Sequence, residues 1–324
     1  MLILSASEQQ KLVDMHEVMD RVAVALEEFS AERTDTPIRL ALPFGERNSG
    51  LVMPSVAEGL QTMGLKYVTV VPDNKENGKK TIQGVVMLSD IKTGEPLALL
   101  EGSYLTLMRT GALSGVATKH FARQDAKVLG IIGTGEQARG LCEAVVAARD
   151  IEEVHVFNRS AGKSEEFATF VKEKFGLKTV VCEDPNEVVR HADVLVTATS
   201  STTPVFTEAL KPGTHVNAVG SFRPTMQELP SHAIISASKV VVEAEDAALE
   251  ETGDLQVPIR EGVFSETGIH AELGKVVSGE RPGRENDEEI TVFESVGLAI
   301  ADIVVAKYLY EKAVTTKAGV RVEL

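Results

Sequence analysis

Only two cysteines occur in the 324 residues, Cys142 and Cys182, and neither stands in a Cys-x-x-Cys or other metal-ligand spacing. Both read as buried thiols of a protein kept in a reducing compartment. No apolar run reaches the ~18 residues of a membrane-spanning helix. Residues 1–10 show no basic segment leading into an apolar core, so no secretory signal is evident. A cytoplasmic protein with no membrane partner is expected. Positive charge is scarce: 33 Lys and Arg stand against 48 Asp and Glu, a formal net charge of −15. Nucleic acid is therefore not an expected partner, since its phosphates would be repelled. The seven histidines (His16, His120, His155, His191, His215, His232, His270) form no pair at metal-ligand spacing, and no metal is expected. Internal repeats and low-complexity segments are absent.

What is present predicts two domains, because the length exceeds what one core usually holds. Residues 8–33 carry Leu12, Met15, Met19, Val22, Leu26 and Phe29 at three- and four-residue steps, the period of an amphipathic helix. Strands are predicted at 39–43, 50–54, 64–71, 82–89 and 96–101, with a turn at 90–95 in which Gly94 can take positive φ. An Ala-, Gly- and Thr-rich helix follows at 104–121. From there strands at 127–133, 153–158, 178–182, 193–198, 214–219 and 239–243 alternate with helix-length segments, the rhythm of a doubly wound parallel sheet. After 269–277 comes a final helix at 290–312. It is apolar on more than one face, so it should pack into the first domain or a subunit interface. The tail, 315–324, is expected to be loosely ordered.

The most informative stretch is Lys127-Val128-Leu129-Gly130-Ile131-Ile132-Gly133-Thr134-Gly135-Glu136-Gln137-Ala138. An apolar strand runs into Gly-x-Gly, then into a helix, and a second strand arrives at βαβ spacing. Gly133 permits the tight turn, Gly135 lets the backbone approach a pyrophosphate, and Ala138 lets the helix pack closely on the strand. Backbone N–H groups at the helix start would face the phosphates. Gly133, Thr134, Gly135, Glu136 and Gln137 are thus candidate cofactor ligands; the alternative is a βα turn with no ligand. The second strand ends in Asn158-Arg159-Ser160, with Lys163 beyond, and no acid is there to take the ribose 2′-hydroxyl of NAD. Arg159 could pair with a 2′-phosphate and Ser160 could donate a hydrogen bond, which favours NADP(H). NAD(H) remains open if Arg159 is a solvated charge and Asn158 serves the ribose. Thr199 and Ser200 follow the fourth sheet strand, where small hydroxyl residues line a nucleotide crevice or simply make a turn. Val219 could flank the nicotinamide, and Thr110 could hydrogen-bond the pyrophosphate.

Further motifs extend the pattern: Gly64-Leu65-Lys66-Tyr67, Leu107-Met108-Arg109-Thr110-Gly111-Ala112, and Asn217-Ala218-Val219-Gly220-Ser221-Phe222-Arg223-Pro224. Ala271-Glu272-Leu273-Gly274 and Thr291-Val292-Phe293-Glu294-Ser295-Val296-Gly297 lie downstream. Over residues 2–313 the chain resembles the ornithine cyclodeaminase/mu-crystallin family. The resemblance implies a Rossmann-type α/β domain (119–290) inserted into a smaller α+β substrate and dimerisation domain (1–118 plus 291–324). It also implies a homodimer, and it implies that Arg39, Lys66 and Arg109 hold a substrate carboxylate. That chemistry is sound on its own terms, because a planar carboxylate suits a guanidinium fork plus a point charge. Lys66 could also donate a proton if burial beside two arginines lowers its pKa.

The chain departs from the family's cyclodeaminases and archaeal alanine dehydrogenases at two acids. Phe222 stands where their Gly-x-Asp-x-Pro carries aspartate, and Leu51 replaces the acid that precedes the cyclodeaminases' Met-Pro dipeptide. Oxidising an amine needs a base for its ammonium. Reducing a preformed cyclic imine needs only a held carboxylate and a hydride at near-attack distance. The exchange gives a substrate-binding wall at Phe222 and a pocket expected to lack negative groups. It points to the ketimine-reductase side of the family: NADPH-dependent reduction of 1-pyrroline-2-carboxylate or 1-piperideine-2-carboxylate to L-proline or L-pipecolate. Lys66 and Arg109 are the candidate catalytic pair. Three alternatives stay open: ornithine cyclodeamination, amino-acid (alanine) dehydrogenation through another acid such as Glu228 or Asp302, and a non-catalytic protein that binds NADPH and a small acid.

Overall fold

A computed structural model describes residues 1–323. From the N-terminus its elements are β1 (Leu2–Leu4), α1 (Ala6–Leu12), α2 (Met15–Ser30), β2 (Leu40–Phe44), β3 (Asn48–Ala57), β4 (Thr62–Val70), β5 (Ile82–Ser89), β6 (Pro96–Glu101) and α3 (Gly102–Phe121). Next come β7 (Val128–Ile132), α4 (Glu136–Ala148), β8 (Glu153–Phe157), α5 (Ala161–Phe175), β9 (Lys178–Val181), α6 (Pro185–His191), β10 (Val194–Thr197) and β11 (His215–Ala218). The rest are α7 (Ser231–Ser236), β12 (Lys239–Val242), α8 (Glu245–Glu251), α9 (Gly253–Arg260), β13 (Ile269–Glu272), α10 (Leu273–Val277), β14 (Thr291–Glu294), α11 (Ala299–Thr316) and β15 (Val320–Arg321). Residues 1–109 with 298–324 form one compact unit and residues 110–297 a second.

The first unit is built on a seven-stranded sheet in the order β15-β1-β6-β5-β4-β3-β2, with only β1 and β6 parallel. Alternation along its strands sends Met53, Lys66, Val68, Val86, Leu88 and Leu100 into the core. α11 packs on β3, β4 and β5 and against α2. Gly64 makes room for it: a Cβ there would lie 2.3 Å from Met87 O and 3.1 Å from the Ile303 side chain. The helix expected over 8–33 is broken at Val13-Asp14, because the Asp14 carboxylate accepts the N–H groups of His16 and Glu17 and starts α2 afresh. The tail is ordered where the sequence predicted looseness. Residues 315 and 316 finish α11, and β15 pairs with β1; Leu324 lies outside the described residues.

The second unit holds eight parallel strands in the order β13-β12-β14-β11-β10-β7-β8-β9, the doubly wound sheet expected. The chain leaves β7 toward β8 and β9, then returns to β10 on the other side. The carboxyl ends of β7 and β10 thus form a topological switch point, where such sheets bind ligands. A helix over 290–312 is not what forms. Residues 291–294 make β14, buried between β11 and β12, and the helix starts only at Ala299. Strands buried on both faces read as continuous apolar runs, so nothing in the pattern separated β14 from the helix behind it. Gly297, at φ +97°, makes the break. This is why the second boundary falls at 297/298 rather than at 290/291; the first falls at 109/110, within α3, rather than at 118/119.

Candidate functional site

The switch point of the second unit meets the demands of a dinucleotide turn. Gly133 adopts φ +95°, and a Cβ there would lie 2.6 Å from Ala198 O, so only glycine fits. Gly135 caps α4 and is a different case. A Cβ there would touch nothing within 4 Å, so no protein atom demands its absence. The cleared space lies beside the N–H groups of α4's first turn, where a pyrophosphate would be cradled. Glu136 and Gln137 open that turn, and Ala138 is buried against the strand. Thr134 donates its hydroxyl to Lys163 O (3.2 Å) and accepts from Asn158 Nδ2 (2.9 Å). Asn158 Oδ1 in turn accepts the Ser160 N–H at 3.1 Å. Asn158 is thereby occupied in bracing the turn, whereas Arg159, Ser160 and Lys163 are exposed around the tip of β8.

After β10 and β11, Glu228 ties two turns together. Fully buried, it accepts the Thr199 N–H (2.5 Å) on one oxygen and the Gly220 N–H (2.8 Å) on the other. It serves as a loop anchor. Thr199 and Val219 are half-buried beside it, Ser200 is exposed, and Thr110 is buried on α3. Phe222 is half-buried, with the Arg223 guanidinium 5.6 Å from its ring centroid. The two cysteines are buried thiols, and burial pushes Cys142 up to about 12.

In the first unit the fold gathers Lys66 on β4 and Arg109 on α3 around one acid of α11. Asp302 accepts from Lys66 Nζ at 2.6 Å and from Arg109 Nε at 3.0 Å. Lys66 is 2% exposed and Asp302 fully buried. Burial, then the Arg109 charge, lowers the Lys66 ammonium from its ordinary 10.5 to about 7 against the opposing pull of Asp302. Half-buried Arg39 is near enough to add to that lowering. A pocket without negative groups is therefore not what the structure contains. Sequence reasoning named Asp302 only as a spare acid, yet both of its oxygens are engaged by cations, so it acts as their counter-ion. The signal was a lone acid in Ala299-Ile300-Ala301-Asp302-Ile303-Val304-Val305: a buried charge there must be paired. The sequence also did not single out buried Asp254, Glu243 and Glu294 in the second unit.

Among the described residues, no helix is long and apolar enough to cross a membrane, and no cluster of His, Cys, Asp and Glu could hold a metal. The ornithine cyclodeaminase/mu-crystallin family description matches residues 1–317. The chain is 66% identical to the Delta(1)-pyrroline-2-carboxylate reductase of Bacillus cereus over 324 residues, which cover 100% of both proteins. Among solved structures it is similar to Thermococcus litoralis Delta(1)-pyrroline-2-carboxylate reductase in complex with NADH and L-proline (TM-score 0.95, 39% identity, 99% of this chain and 100% of that one). An archaeal alanine dehydrogenase dimer with bound NAD is similar as well (TM-score 0.93, 35% identity, 99% and 98% covered). The chain belongs to the ornithine cyclodeaminase/mu-crystallin family.

Proposed function

We propose that this protein reduces the C=N bond of cyclic ketimines, 1-pyrroline-2-carboxylate and 1-piperideine-2-carboxylate, to L-proline and L-pipecolate with NADPH. The observation that carries this reading is the buried set Lys66–Asp302–Arg109, in which two cations face one carboxylate and the amine sits at about 7. A surplus of positive charge suits a second carboxylate, that of the substrate. With Asp302 on Nε, Arg109 offers its terminal nitrogens as the fork, Lys66 adds a point charge, and Arg39 closes the set. A nicotinamide cofactor held by the Gly133–Gln137 turn would supply the hydride. Lys66 supplies the proton to the nitrogen and is left as the neutral amine, so the C=N π bond becomes C–H and N–H. Phe222 presents an apolar wall to the ring. Asp302 is committed to two cations and is not placed to act as the free base that amine oxidation requires, which disfavours cyclodeamination and dehydrogenation. NADPH absorbance should fall with either imine, and ornithine should release no ammonia. Ammonia from ornithine, or cofactor binding with no turnover of either imine, would count against the reading.

NADPH is the preferred coenzyme in this reading. Asn158 is consumed by Thr134 and Ser160, so Arg159, with Ser160 and Lys163, is left to meet the adenosine ribose. Arg159→Ala should raise KM for NADPH about 10–100-fold, the worth of a hydrogen bond to a charged group, and leave KM for NADH nearly unchanged. Equal effects on both coenzymes would refute this. The protein also works as a homodimer. One face of the seven-stranded sheet stays open, with Ile3, Leu99, Met87, Leu65 and Pro54 aligned in one row and Val85, Tyr67, Val52 and Leu40 in the next. Leu40 is 58% and Tyr67 42% exposed, and the whole of β2 is exposed. Such a contiguous apolar patch marks an interface, and the similar archaeal alanine dehydrogenase is a dimer. The double variant Leu40→Glu, Tyr67→Glu should shift the mass in light scattering from two chains to one; an unchanged mass would remove the second copy from this face.

A further inference from the structure

We infer that Glu294 is held as a neutral carboxylic acid whose proton completes the hydrogen-bond chain fixing the turn after β11. It is thereby a positioning residue for the segment that carries Phe222. Three oxygen–oxygen contacts run in series. Met226 O to Ser221 Oγ, Ser221 Oγ to Thr252 Oγ1, and Thr252 Oγ1 to Glu294 Oε1 each measure 2.8 Å. Each contact needs one hydrogen between its oxygens. The two hydroxyls supply two, and a carbonyl supplies none. The third comes from Glu294.

Among the described residues no other hydrogen bond brings a proton to these contacts. Ser221 Oγ also accepts the Gly253 N–H (3.2 Å) and Thr252 Oγ1 the Asp254 N–H (3.1 Å). With the acid's proton in place, each hydroxyl donates once and accepts twice, its full capacity. Ser221, Thr252 and Glu294 are all fully buried, so water does not share the load. Glu294 Oε2 has no hydrogen-bond partner, a state far less costly for the carbonyl of a neutral acid than for a carboxylate. The charged groups that act most strongly on Glu294 are acids: Asp254 on α9, Glu228 in the turn before α7, and Glu243 just after β12. Burial first, then Asp254, drives the Glu294 carboxyl well above the ordinary carboxylate range. Glu228 and Asp254 differ from it. Burial raises their carboxyls too, but each accepts two backbone N–H groups, which pull the other way. Glu294 has one contact, and that contact needs its proton.

The consequence for function rests on the proposed reading of Phe222 as the wall beside the imine ring. The chain pins Ser221, the residue before Phe222, to α9 and to the end of β14. Glu294→Gln keeps a donor toward Thr252 and should hold kcat/KM for 1-pyrroline-2-carboxylate at pH 7 within about twofold, as a hydrogen-for-hydrogen exchange allows. Glu294→Ala and Thr252→Val leave the chain one hydrogen short. They should lower kcat about 10²-fold through a misplaced turn, with KM for NADPH little changed. Thr252→Ser should restore the rate if Thr252→Val folds poorly. An infrared difference spectrum of wild type against Glu294→Gln should show a protonated-carboxyl stretch. Since the raised carboxyl binds its proton in the folded chain only, stability relative to Glu294→Gln should fall as pH rises above about 4.5. The inference is overturned if Glu294→Gln is as impaired as Glu294→Ala, or if the carboxyl band is missing and the gap in melting temperature is flat with pH. If the wild type turns over no imine, the proposed function falls, while the carboxyl band still upholds the protonated acid.

Discussion

Arg109→Met is expected to lower kcat/KM for 1-pyrroline-2-carboxylate by about 10³-fold, nearly all of it in KM. Removing one partner from a buried, hydrogen-bonded charge pair costs about 3–5 kcal/mol, and each ~1.4 kcal/mol is tenfold in affinity. The lost group binds a carboxylate that does not itself react, so ground state and transition state weaken together and kcat is spared. Arg109→Lys should recover only part of the loss, because an ammonium cannot reproduce the fork. The affinity for NADPH should stay within about threefold, since in this reading Arg109 serves the acid and not the cofactor. Stability should fall as well: Asp302 keeps Lys66 but loses its bond to Arg109 Nε. Steady-state kinetics with the imine varied at saturating NADPH provide the check. A kcat/KM within threefold of wild type would remove Arg109 from the site.

The second large effect concerns Lys66. The rate of reduction should fall as pH rises through about 7, where the buried amine loses its proton. Below that value the amine holds the proton that the imine nitrogen requires; above it, the donor is spent. Lys66→Met should abolish the limb and lower the single-turnover rate by about 10²–10⁴-fold, the usual contribution of a positioned acid. Asp302→Asn gives a sharper test. Asp302 raises the Lys66 pKa, so its loss should move the limb to lower pH, which a limb belonging to the substrate's own nitrogen would not do. If Lys66→Met retains its hydride-transfer rate and changes only KM, Lys66 is an anchor and nothing more. Stability should respond with the opposite slope. Between about 7 and 10.5 the unfolded chain holds a proton that the folded Lys66 has lost, so this group makes the fold more stable as pH rises across that window.

Much of the molecule could be read along the chain because its signals are local. The Gly133-x-Gly135 turn needs only a strand before it and a helix after it. The alternation of β3 to β6 and the rhythm of β7 to β12 are short-range patterns of apolar and polar residues. What escaped depended on pairing. β14 reads like the start of α11, because a strand buried on both faces carries no alternation, and its identity comes from β11 and β12 on either side. β1 and β15 are too short to announce themselves and exist because they pair, β1 with β6 and β15 with β1. The tail is ordered for the same reason.

The candidate site divides along the same line. Lys66, Arg109, Leu51 and Phe222 are matters of residue type, and with the family resemblance they set the expected chemistry: a cationic grip on a small acid, and a nucleotide turn. Which acid neutralises those cations was settled only when α11 packed across β4 and brought Asp302 within 2.6 Å of Lys66, 236 positions away in the chain. The protonation of that lysine, and of Glu294, was likewise left to folding. Charge state inside a protein depends on the water excluded and the neighbours admitted, and neither exists until the chain is folded.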